Sequence, residues 1–66
     1  MIAPARLDAA RKAFADITVE LEDAALIASE AQSVRDLAQA RTACNRLGVS
    51  LNAIRTRLVR LISRLR

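Results

Sequence analysis

From Leu7 onward the apolar positions fall at steps of three and four: Leu7, Ala10, Phe14, Ile17, Leu21, Ala24 and Ala28. That spacing keeps one stripe on one face of an α-helix and does not fit a strand, whose period is two. Pro4 suits a first helical turn, where its missing N–H costs no hydrogen bond. A helix is therefore predicted over about residues 4–29. Val19, Leu26 and Ile27 lie off the stripe, and a helix apolar on more than one side needs more than one neighbour. The surface carrying Leu7, Phe14, Ile17, Leu21, Leu26 and Ile27 is accordingly the expected oligomer interface.

Ser33-Val34-Arg35-Asp36 fits the capping-box pattern, in which a serine oxygen and a carboxylate satisfy the orphan amides of a new helix. This places a break around Ser29 to Ser33 and a second helical half over about residues 34–66. In that half Leu37, Ala40, Cys44, Leu47, Leu51, Ile54, Leu58, Leu61 and Leu65 form an unbroken heptad series, which describes one long helix packed back on the first. Leu47-Gly48-Val49-Ser50 pulls the other way. Gly48 can take the left-handed C′ conformation and Ser50 can cap a new helix. Glycine inside a continuous helix costs about 1 kcal/mol relative to alanine. The expected fold is all-α and a single domain over residues 1–66: two long helices as a hairpin, the second either continuous or broken at Gly48 into a helix-turn-helix.

Size and composition change what such a hairpin is expected to do. At 66 residues a single core buries little more than half of the unfolded surface, so a monomer is marginal. Self-association is expected, with a dimer first. Apolar residues make up 53% of the chain, but many are alanine and only Phe14 is aromatic, which favours helix over sheet.

Charge divides the chain sharply. All seven acids lie between Asp8 and Asp36; residues 1–36 hold four cations against them, a net of −3. Residues 37–66 hold Arg41, Arg46, Arg55, Arg57, Arg60, Arg64 and Arg66 and no acid, a net of +7. Such a segment repels itself and calls for an anionic partner, the acidic half of its own chain, or both.

The candidate chemistry is sparse. There is no histidine, and Cys44 has no second cysteine in the chain, so no zinc site, disulfide or activated thiol is expected and Cys44 reads as a small buried apolar residue. Glu20, Glu22 and Asp23 do not share one helix face and are expected to pair with arginines of the basic half, not to hold a metal. No enzyme activity and no cofactor are expected. No run reaches the roughly 18 apolar residues of a membrane span, and Met1 to Asp8 contain no secretory core, so a cytoplasmic protein is the expectation. Fourteen alanines and ten arginines against a single lysine, Lys12, suggest G and C codon bias and a bacterial or phage source.

The stretch Ala43-Cys44-Asn45-Arg46-Leu47-Gly48-Val49-Ser50-Leu51-Asn52-Ala53-Ile54-Arg55-Thr56-Arg57-Leu58 resembles the helix-turn-helix of bacterial DNA-binding proteins, and with its extension to Arg66 looks most like the recognition helix of sigma-factor region 4 and of LuxR/NarL-type regulators. The resemblance covers about the last third of the chain. It implies that Cys44 stands at the small position, that Gly48 makes the turn, and that Val49 and Ile54 fill the space between the helices. By the same resemblance Asn52, Arg55, Thr56 and Arg57 would face DNA, with Arg60 and Arg64 nearer phosphates. The first functional expectation is thus a small DNA-binding protein, a transcriptional regulator or architectural factor. Its rival is a helical-hairpin oligomer of four-helix-bundle type that acts on a partner protein as adaptor, inhibitor or assembly factor. A third reading lays the last helix on an anionic membrane surface, though it has no Trp or Tyr to anchor it.

Overall fold

The computed structural model describes residues 3–66, with side chains from Ala5 onward. The chain forms two α-helices of equal length, α1 over Ala3–Ala31 and α2 over Leu37–Leu65, packed against each other as a hairpin. No strand is present among the described residues. Pro4 falls in the first turn of α1, and the Leu7 to Ala28 stripe runs its length.

The break lies slightly later than the sequence predicts, and so does the cap. α1 continues to Ala31 and then tightens, with Gln32 N donating to Ser29 O, Ser33 N to Glu30 O and Val34 N to Ala31 O. These bonds span three residues and consume carbonyls that the α-helical ladder leaves orphaned. Ser33 is thereby tied to the end of α1 and does not cap α2. The cap is Asp36, in extended conformation, whose Oδ1 accepts from Gln39 N at 2.8 Å. Gln39 Oε1 in turn accepts from Arg35 N at 2.8 Å. The arrangement is close to a capping box moved three residues along the chain, with the return bond falling on Arg35 N, one residue before the cap. A carboxylate at this end of the helix also opposes the positive pole of its dipole.

α2 is one uninterrupted helix through Gly48. No residue among those described has a positive φ, glycine included. The glycine turn that a helix-turn-helix would require is therefore not formed: Gly48 is an ordinary helical residue, and Val49 is 72% exposed instead of wedged between helices. The reason lies in the heptad. Leu47, Ile54 and Leu61 repeat at sevens and all meet α1 only if the helix keeps one phase on both sides of Gly48.

The seam between the helices is narrow. Ala10, Ile17 and Ala24 from α1 and Ile54 and Leu61 from α2 are buried. Ile17, Ala24 and Ile54 form one cluster with Leu47 packed on it, and Ala10 shares a small hollow with Leu61 and Leu65 farther along. At the opening of the hairpin Arg6 Nη2 donates to the carbonyl of Arg64 at 2.6 Å and to that of Arg66 at 3.3 Å, so a cation satisfies orphan acceptors at the negative pole of α2. The whole is a rod 56 Å long and only 17 by 9 Å across. With a single neighbour, each helix keeps most of its circumference open.

Candidate interaction surfaces

Two broad faces flank the seam, and the helical repeat says which residues each holds. In an antiparallel pair, reversing one helix reverses both its direction and its sense of rotation. Positions displaced from the seam by the same number of residues on each helix therefore fall on the same side. Positions three after the seam are Ala13 and Glu20 on α1 and Arg57 and Arg64 on α2, and these do line one groove, together with Asp16 and Arg60. Positions three before the seam are Leu7, Phe14 and Leu21 on α1 and Leu37, Cys44, Leu51 and Leu58 on α2, which the same geometry sets together on the opposite face.

The first face is polar. Arg57 is held by an ion pair to Glu20 and a second contact of 3.7 Å to Asp16. Asp16 and Glu20 are four residues apart and so stand one above the other on α1, which lets a single guanidinium reach both. The Glu20–Arg57 pair realises the expected traffic between the acidic and basic halves. Its partners are substantially solvated, so each contact stabilises the hairpin by no more than about 1 kcal/mol. Asp16 was the less obvious partner; its signal was the four-residue spacing to Glu20.

The second face is apolar and open. Leu7, Phe14, Leu21, Leu37, Leu51, Leu58, Ile62 and Leu65 are all exposed, Phe14 by 52% and Leu51 by 47%. Cys44, expected to be buried, is a free and exposed thiol in this same row. Arg55 borders the face from α2. Scattered exposed leucines are normal on a protein surface, but rows of them at heptad spacing on two adjacent helices make a contiguous patch.

The residues that sequence reasoning singled out divide between these surfaces. Of the six proposed DNA contacts, Asn52, Arg55, Thr56, Arg57, Arg60 and Arg64 are all exposed on α2. Asn52, Arg55, Thr56 and Arg60 line one hollow with Val59, and Thr56 and Arg60 also line the polar groove beside Arg57 and Arg64, so the six run on from the groove around α2. Of the oligomer candidates, Leu7, Phe14 and Leu21 lie on the apolar face. Ile17 is buried in the hairpin's own seam and Ile27 is half-buried near the turn. Leu26 is exposed, on the back of α1 with Val19.

Among the described residues no cluster of acids and cysteine could hold a metal ion, and no helix is long and apolar enough to cross a membrane. Comparison with protein families, characterised proteins and solved structures finds no match to this chain.

Proposed function

We propose that this protein is a helical-hairpin interaction module, an adaptor, inhibitor or assembly factor that works by docking its apolar face against helices of a protein partner. The observation that carries this reading is the double row of exposed large side chains, Leu7, Phe14 and Leu21 beside Leu37, Leu51 and Leu58. Helices that present apolar anchors at heptad spacing are recognised by other helices, which complete the missing part of a bundle. The continuous α2 supports it, since the face depends on both halves of α2 keeping one phase. The free thiol of Cys44 agrees with a reducing cytoplasm.

A second reading rests on a separate observation. α2 carries leucines at seven-residue spacing but no acid at all, and its arginines outnumber those that α1 neutralises. DNA binding by Arg55, Arg60 and Arg64, with Asn52 and Thr56 beside them, follows from that charge. With no turn at Gly48, the helix would have to enter the major groove as an uninterrupted rod, and Arg57 would have to leave Asp16 and Glu20.

One experiment separates the two readings. A photo-reactive phenylalanine analogue is placed in living cells at Leu51, at Arg60 or at Val49, and the species cross-linked on illumination are identified. Docking predicts protein adducts from Leu51 and none from Val49, which points outward from the back of α2. Nucleic-acid adducts from Arg60, with none of any kind from Leu51, would replace docking by DNA binding.

A further inference from the structure

We infer that the occupant of the apolar face is a second copy of this chain, set so that α1 of each copy lies antiparallel against α2 of the other, the two turns at the same end of a four-helix bundle. This inference rests on the docking reading above and names the partner for it.

The first ground is area. The chain exposes 5447 Å², whereas a globular monomer of 7.2 kDa is expected to expose only about 4,100 Å². The difference, roughly 1,300 Å², exceeds the approximately 800 Å² that each partner buries in a standard stable interface. The rod shape produces this excess, because two helices alone cannot enclose one another's apolar sides.

The second ground is that the face matches itself. The hairpin register brings Ile17 and Ala24 to Ile54 and Leu47, and Ala10 to Leu61. Continued onto the apolar face, the same register sets Leu7 level with Leu65, Phe14 with Leu58, Leu21 with Leu51, and Ala28 with Cys44. A two-fold axis along the rod preserves these levels. It places each α1 residue of one copy beside the α2 residue of the other at its own height. Three layers are then large against large and the fourth, nearest the turn, is small against small. An isologous interface demands such self-complementarity.

The third ground is charge, and it selects the arrangement. The half containing α1 has a net of −3 and the half containing α2 a net of +7. With α1 against the copy's α2, the two basic helices lie diagonally and do not pack against each other. An axis across the rod would instead put α2 against α2, with Arg41 and Arg55 of one copy facing those of the other.

The test uses the full chain. Sedimentation equilibrium should return twice the 7.2 kDa chain mass. Phe14→Glu and Leu51→Glu should each weaken the dimer by about 30-fold or more, as loss of a central apolar anchor does, with helical circular dichroism retained in the separated hairpins. Val49→Glu should leave the mass unchanged, which controls for a general effect of added charge. A spin label on Ser33→Cys, in a chain carrying Cys44→Ala, reads the arrangement. Labels within roughly 30 Å, as four helices packed 8–10 Å apart allow, place both turns at one end; a separation near the 56 Å length of the rod overturns the α1-on-α2 pairing. A folded monomer at all concentrations overturns the second copy as occupant, and leaves docking standing if Leu51 still cross-links another protein. A dimer unaffected by either glutamate overturns the inference, and the docking reading with it if Leu51 cross-links no protein.

Discussion

Ile54→Ala should unfold this protein near room temperature or bring it close to doing so. Ile54 is 6% exposed and sits in the buried cluster that joins the two helices, against Ile17, Ala24 and Leu47. Truncating a buried isoleucine to alanine costs about 2–5 kcal/mol, and the facing Ala24 is too small to close over the space left. In a chain of this size 1 kcal/mol moves the melting temperature by about 4–8 °C, so a loss of at least ~10 °C is expected by circular dichroism at 222 nm. Val49→Ala is the companion variant. Val49 is one residue past Gly48 and exposed, so its change should stay within about 0.5 kcal/mol. Comparable losses at Val49 and Ile54 would mean that both fill a core, as in a helix-turn-helix, and would contradict the continuous α2.

Substitutions at Gly48 should have opposite signs. Proline there removes a hydrogen bond from the middle of α2 and drives its ring into the carbonyl of Cys44, at a cost of about 3 kcal/mol or more. It also tilts Ile54 and Leu61 away from α1, so the measured loss of denaturant stability should exceed the helix penalty alone. Alanine meets nothing within 4 Å at this position and needs no unusual backbone angle. It should stabilise by about 1 kcal/mol. If Leu47-Gly48-Val49-Ser50 were a left-handed turn, alanine would be the damaging change instead.

These two sites also show how far the sequence could be read. The spacing of three and four from Leu7 to Ala28 and from Leu37 to Leu65 was enough for two helices and a hairpin. It could not say which of two interleaved heptad rows faces the partner helix, since Leu37, Cys44, Leu51 and Leu58 are as apolar as Ala40, Leu47, Ile54 and Leu61. That choice depends on where the chain turns, and the turn is set by local hydrogen bonds that the pattern leaves ambiguous. Ser33 and Asp36 both begin plausible capping boxes, and the preference for Asp36 with Gln39 appears only once Ser33 N is engaged by Glu30 O. Gly48 was ambiguous for a similar reason. Its local cost of about 1 kcal/mol is outweighed by keeping Leu47, Ile54 and Leu61 in one phase, a non-local term.

The candidate surfaces were legible in proportion to how directly they depend on charge or period. The partition of acids and arginines is plain in the sequence, and the Glu20–Arg57 pair follows from it. That Leu7, Phe14 and Leu21 belong to an interface was readable from the stripe. That Ile17 belongs instead to the hairpin seam was not, because it lies on the same stripe and differs only by the small rotation that separates one heptad row from the next.

The measurement that bears most directly on the central claim is the accessibility of leucine and valine methyl groups to a soluble paramagnetic probe, followed by nuclear magnetic resonance at rising protein concentration. Covering of the apolar face predicts that the methyls of Leu7, Leu21, Leu51 and Leu58 become shielded while those of Leu26 and Val49, on the outer sides of the rod, stay fully relaxed. Leu21 and Leu51 methyls that remain as accessible as those of Leu26 and Val49 at every concentration would contradict it.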